Sequence, residues 1–439
     1  MAASLVTLPD SRIDGEIVVR LLWGVSIIVG IALAGACTDA PDQDSRIVLV
    51  IKHSKLFGDP AAFSRLLRRF EQQHPGIRVR SETLPTSSDE QRQFYAINLQ
   101  AKSSDFDVFA LDVIWVAEFA RAGWVRDLTA LLPTEQRKEF FDGPLRAVTY
   151  EGRVYAVPWF IDAGLLYFRR DLLAKYGYAP PKTWTELVSS ARAIAAKQSG
   201  LYGFVWQGKQ YEGLVCNVLE YLWSNGGGVL REGRVVLDSP ENRVALTFLR
   251  DLIARYAVTP DFVTTLTEES AREIFGRGNA VYLRNWPYAW NLFEQDGSAV
   301  KGKVGLTVLP HFSGGASAAA LGGWQLGVNR NSRHASEAQE LVRFLTSAQA
   351  QKYLALGYGL NPTRRALYSD PELNAAQPYL RELYAIFEHA RPRPVTPSYA
   401  RISQIVQAEF SAAITGSKTA EAALSAAQAQ IQRVSRDAR

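Results

Sequence analysis

Asp112 closes the run FALD, Asp162 interrupts VPWFIDAGLLYF, and Trp286, Tyr288 and Trp290 crowd into the short stretch RNWPYAWN. Ring faces offer broad apolar contact, and ionised carboxylates form stronger hydrogen bonds than neutral groups. Together they suit a molecule with C–H faces and hydroxyl edges. The sequence contains no GxSxG, HExxH, Walker A loop or complete GxGxxG, and its five histidines, His53, His74, His311, His334 and His389, lack metal-ligand spacing. No cofactor or metal is therefore expected. His53 sits at a strand end and reads either as a ligand contact or as an ordinary surface histidine.

The elements that must hold these groups are legible as alternating strands and helices. RIVLVIK (46–52) is a buried-type strand, Asp59-Pro60 opens a helix, and Phe63, Leu66, Leu67 and Phe70 mark its apolar face before His74-Pro75-Gly76 stops it. A strand at 77–83, a helix at 88–102 and a strand at 106–111 complete a βαβαβ unit, which implies a mostly parallel sheet. Ligands of such sheets lie outside the carboxyl ends of the strands. Lys52-His53-Ser54 and Asp112 occupy those ends. Asp112 reads either as a ligand group or as a cap for a helix at 116–122.

Two further strands, 154–157 and 165–168, are joined by Trp159-Phe160-Ile161-Asp162, a connection too bulky for a two-residue hairpin. Rings and an acid at a crossing suggest a cleft. Thr183 to Glu186 form a capping box, a strand at 280–283 delivers the aromatic loop, and LGGWQLGV (321–328) reads as a second crossing that carries Gly323 and Trp324. Gly323 would allow the backbone to approach a ligand closely. One long helix is expected over 335–356.

A chain of 439 residues exceeds one ordinary core and fits two lobes. Its net charge of +5 comes from scattered Lys and Arg, which favours a solvated surface over a nucleic-acid groove. Leu21 to Ala36 is an uncharged apolar run followed by Cys37, and the polar stretch 38–45 comes next. The run suits an export signal; the cysteine after small residues resembles a lipobox, and a retained membrane helix is the other reading. Cys216 has no partner for a disulfide framework and reads as a buried small hydrophobe.

VPWFIDAGLLYFRRDLL, ALDVIWVAEFARAGWVRDL, GNAVYLRNWPYAWNLF and RPRPVTP resemble the corresponding segments of bacterial extracellular solute-binding proteins of the sugar-binding type, in particular the trehalose/maltose-binding lipoprotein branch. The likeness runs from about Arg46 to Ile431. It implies an α/β, two-lobe periplasmic-binding-protein-like fold of type II, with several hinge crossings. Residues 46–160 with 326–366 would form lobe 1, and 161–325 with 367–439 lobe 2, after an export segment at 1–37 and a linker at 38–45. The resemblance tips Asp112 toward ligand and adds Glu212, whose other reading is a helix-opening acid. It adds Arg393 in preference to Arg391, and Gln91 as a first-lobe contact, and it turns Trp286 and Tyr288 toward sugar. With Asp162, Gly323, Trp324 and His53 these make up the candidate site. Phe160 stands where the family often has tyrosine, which removes one hydroxyl contact.

The implied function is an exported, monomeric receptor, lipidated at Cys37 on the outer face of the cytoplasmic membrane. It would bind a disaccharide, trehalose before maltose or other glucosides, and present it to an ABC permease. Two other classes fit some of the same residues. Asp112 and Glu212 could serve a secreted glycoside hydrolase as acid and nucleophile, and a receptor for polyamines or amino acids would use the same acids with fewer rings.

Overall fold

The computed structural model describes residues 45–437, so Cys37 and the export segment lie outside the described residues. Its principal strands are β1 (Ile47–Ser54), β2 (Ile77–Leu84), β3 (Val108–Asp112), β4 (Val157–Ala163), β5 (Leu165–Arg169), β6 (Tyr202–Val205), β7 (Ala280–Asn285), β8 (Val304–Thr307) and β9 (Leu321–Val328). They form a five-stranded sheet in the order β2-β1-β3-β9-β4 and a four-stranded sheet in the order β8-β5-β7-β6. The helices that bear on the site are α1 (Ala62–Gln73), α2 (Ser88–Gln100), α3 (Glu212–Ser224), α4 (Glu268–Gly276), α5 (Ala335–Leu345), α6 (Ala348–Tyr358) and α7 (Tyr399–Ile414).

Each sheet has its own apolar core. Leu49, Phe70, Phe109, Trp115 and Leu326 anchor the first, with Phe63, Leu66 and Leu67 of α1 packed down as their spacing requires. Leu166, Tyr167, Trp184, Leu219, Leu283 and Phe410 anchor the second. The α/β class and the two-lobe binding-protein architecture are those expected. The sheets themselves are mixed rather than mostly parallel: β1 runs parallel to β2 and β3, whereas β9 is antiparallel to both β3 and β4. In the second sheet β7 pairs parallel with β6 and antiparallel with β5. Returning strands that cross between sheets cause this, because they enter from the opposite direction.

The junction at 159–162 is a strand and not a connection. Residues 157–163 pair with β9, and the chain changes sheets at Gly164. Bulky rings are accommodated there because Trp159 points into the first core, 1% exposed. The second crossing comes just ahead of β9 and not within it, since β9 pairs only with strands of the first sheet. The chain passes a third time after α6, between Leu360 in the first core and Leu367 in the second. The single long helix expected at 335–356 is two, α5 and α6. Ser347 caps the second by accepting the Ala350 N–H (3.2 Å), a local bond that competes with helix continuation. The α1 helix begins at Ala62, with Asp59 accepting the Ala61 N–H just ahead of it.

Candidate functional site

The carboxyl ends of β1, β3 and β7 and the middle of β4 and β9 open onto one cavity of about 390 Å³. Asp112, Asp162, Glu212, Trp286, Tyr288, Gly323, Trp324 and Arg393 all line it. Strand register accounts for part of this grouping. Trp324 lies opposite Asp112 on one side and Phe160 on the other, so one row across β3, β9 and β4 presents acid, indole and phenyl side by side. Trp324 leans edge-on against Trp115 (5.5 Å between ring centres), which fixes its plane.

Arg393 joins the two sheets' acids. It donates through Nη1 to Glu212 Oε1 (2.7 Å) and through Nη2 to Asp112 Oδ1 (3.0 Å). Glu212 also accepts from Tyr399 (2.6 Å) and Ser403 of α7, and its own N–H donates to Asp89 Oδ2 (3.3 Å). Burial pushes the Glu212 carboxyl up from its ordinary range, and Arg393 with the two hydroxyls pulls it back. Asp112 accepts from Ser88 Oγ (2.9 Å) and from the Ile114 N–H (3.3 Å). The turn before the short helix at 116–121 thus uses Asp112 locally, while the same carboxylate faces the cavity.

The second sheet contributes an aromatic wall. Arg284 lies 4.1 Å from the centre of the Trp286 ring and occupies one indole face. Glu268 accepts from Tyr211 and from Trp286 Nε1 (3.4 Å), and Glu269 accepts from Tyr288. Tyr167 donates to the Trp286 carbonyl at 2.9 Å. Trp290 turns the other way and packs on Tyr379, 4.8 Å between centres.

Three sequence expectations need correction. His53 does not line the cavity: its ring bonds Ser54 O (2.6 Å) and Ser81 Oγ (2.7 Å) and packs edge-on against Phe63 and Trp159. Burial lowers its pKa, against a smaller opposing effect of the bond to Ser54 O. The cavity instead receives Ser54, one residue on, as strand alternation requires. Gln91 is also absent from the wall; it is buried and donates to Pro85 O (2.6 Å), which supports the loop 85–88 that does line it. Gly323 is a wall residue, but its φ of +108° and the Phe160 carbonyl, 2.3 Å from where a Cβ would stand, show that β4 demands the glycine. Phe57, Tyr211, Lys55, Lys209, Glu268 and Glu269 line the cavity unforeseen. The rule that drew attention to Asp112 applies equally to Lys55 and Phe57 after β1. Cys216 is buried at the cavity wall, and burial raises its thiol pKa.

Asp162 carries a titration with a definite sign. Removal from water pushes its carboxyl up to about 7, Asn361 Nδ2 (3.3 Å) opposes the shift, and Asp112 adds to it. The folded form therefore holds this proton more tightly than the unfolded chain does, and folding stability falls as pH rises from about 4 to about 7. Asp162→Asn is expected to remove that part of the slope, at most about 1.4 kcal/mol per pH unit. Urea denaturation of both proteins from pH 4.5 to 8 checks this; a difference between them that stays constant with pH would refute the assignment.

Among the described residues, no group of three or more His, Cys, Asp or Glu side chains is placed to hold a metal ion. Two lobes joined by several crossings, with a ring-lined and charge-lined cavity between their strand ends, define a solute-binding protein. Residues 55–352 match the bacterial extracellular solute-binding protein family, and the chain belongs to it. It is 41% identical over 346 residues to a probable ABC transporter-binding protein of Deinococcus radiodurans, covering 77% of this chain and 81% of the relative. The maltose-bound MalE3 of T. maritima is similar in structure, with a TM-score of 0.85 and 46% identity over 88% of this chain and 100% of the other. A mannitol-binding protein of Pseudomonas aeruginosa is 24% identical, with 84% of this chain and 89% of that one covered.

Proposed function

We propose that this chain is the receptor of an ABC sugar importer, closing its lobes over a small carbohydrate of the disaccharide class and delivering it to the permease. The carrying observation is the single cavity in which the indole of Trp286, the ring of Trp324 and the acids Asp112 and Asp162 meet. Sugar hydroxyls donate well to carboxylates, and sugar C–H faces stack on rings. Maltose and trehalose are the first ligands to test, since the similar T. maritima protein is a maltose complex. Closure around ligand would use the crossings as hinges, with the five-stranded sheet and its helices moving against the four-stranded sheet and its helices. Cys37 would carry the lipid that holds a monomeric receptor at the outer face of the cytoplasmic membrane.

Hydrolysis is disfavoured by the state of Glu212. Both its oxygens are engaged, by Arg393, Tyr399 and Ser403, which ties it as an acceptor where a hydrolase needs a free acid or nucleophile. The wall carries Glu90, Asp112, Asp162, Glu212, Glu268 and Glu269 against Lys55, Lys209 and Arg393, so a polyamine is kept among the test ligands.

The test is titration of the purified protein with maltose, trehalose, mannitol and spermidine by tryptophan fluorescence, with released glucose assayed in the same tubes. Saturable binding of a disaccharide without glucose release supports the receptor; glucose release at enzyme-like rates, or binding of spermidine alone, overturns it. Trp286→Ala and Asp112→Ala are each expected to weaken sugar binding at least about tenfold, the scale of one stacking contact or charged hydrogen bond. Unchanged affinity in both would move the site elsewhere.

A further inference from the structure

One aromatic contact spans the cavity from one sheet's loops to the other's. Phe57 stands on the loop after β1, and Tyr288 on the loop after β7; both line the cavity. Their ring centres are 5.4 Å apart and their planes 28° from parallel, a stacked pair. Each ring is held from behind. Tyr288 donates its hydroxyl to Glu269, which is in turn paired with Arg272 (2.8 Å). Lys55 Nζ lies 5.4 Å from the centre of the Phe57 ring, and the loop is pinned by Asp59 N–H donating to Gly357 O (3.3 Å).

A sugar ring passing between two aromatic faces needs van der Waals separation on both sides, about 3.5–4.0 Å each. The Phe57–Tyr288 spacing of 5.4 Å admits no such ring. The cavity of about 390 Å³ also lies near the lower end of small-molecule sites, which run from roughly 300 to 1,000 Å³. We infer that Phe57 and Tyr288 form a length gate: the stacked pair seals one side of the cavity and limits the ligand to two sugar rings, excluding trisaccharides and longer chains. This rests on the sugar-receptor reading and adds the residues that set ligand size. Phe57 is the decisive member, because it is half-buried on a loop and belongs to neither core.

The experiment compares maltose, maltotriose and maltotetraose by calorimetry on the full chain and on Phe57→Ala and Phe57→Tyr. The wild-type protein is expected to bind maltose at least tenfold more tightly than maltotriose. Phe57→Ala should shift the maltotriose-to-maltose affinity ratio at least tenfold toward the trisaccharide, and Phe57→Tyr, which keeps a ring to stack, should restore discrimination. Equal wild-type affinity for both sugars, or an unchanged ratio in Phe57→Ala, overturns the gate while leaving the receptor reading intact. Failure of the wild-type protein to bind any of the three sinks a gate for this sugar series, and failure with trehalose as well sinks the receptor reading.

Discussion

Arg393→Met is expected to cost about 3–5 kcal/mol of folding stability, the usual penalty for leaving buried charge without its partner, and to weaken sugar binding at least about a hundredfold, or roughly 2.7 kcal/mol. The side chain is 3% exposed and sits between Asp112, 12% exposed, and Glu212, 4% exposed. Methionine has similar length but no donor, so two inward-facing carboxylates would lose their shared cation at once. Arg393→Lys keeps the charge but replaces a planar fork with a compact ammonium, so it should fall between the two. The double variant Arg393→Met with Glu212→Gln removes one of the stranded charges and should recover a good part of the lost stability. Urea midpoints and calorimetric titration measure both effects. A loss below about 1 kcal/mol in the single variant, against the expected range for a buried pair, would show that Arg393 is not the clasp between the two acids.

Much of the site could be read from strand ends, and the limits of that reading are physical. Asp112, Trp286 and Tyr288 were accessible because each stands at or just beyond the carboxyl end of a strand whose apolar run is plain. His53 failed the same test by one residue: alternation along β1 sends His53 against Phe63 and Ser54 to the cavity, and the run RIVLVIK, apolar at every position from Ile47 to Ile51, gives no parity. Glu268 and Glu269 carry no signal of their own in the sequence, since nothing local says that their carboxylates will meet Tyr211, Trp286 and Tyr288. Gly323 stands out in LGGWQLGV, but its reason lies in the Phe160 backbone across the ladder. The two cores were foreseeable from length and pattern. The antiparallel partners of β9 were not, because a crossing strand's direction depends on the lobe it has come from.

Behind the aromatic wall lies a second buried pair, and separating its two roles makes the other large prediction. Arg284 and Glu220 are 2% and 1% exposed. Arg284 Nε donates to Glu220 Oε2 (2.8 Å) and Nη1 to Gln207 Oε1 (3.1 Å), while the guanidinium also covers one face of Trp286. Glu220 reaches the crossings themselves. Its Oε1 accepts the Ala320 N–H (3.1 Å) beside β9, and it would lie 1.9 Å from a Cβ at Gly164, so a side chain where the chain leaves β4 would have to displace this pair. Arg284→Met alone strands Glu220 and is expected to cost about 3–5 kcal/mol. Adding Glu220→Gln removes the stranded charge and keeps an acceptor for Ala320, so most of that stability should return. Sugar affinity should not return with it, because the indole still lacks the cation that holds its inner face, and a loss of about tenfold, or 1.4 kcal/mol, should persist. If the double variant regains wild-type affinity along with its urea midpoint, Arg284 serves the core alone and Trp286 holds its orientation without it.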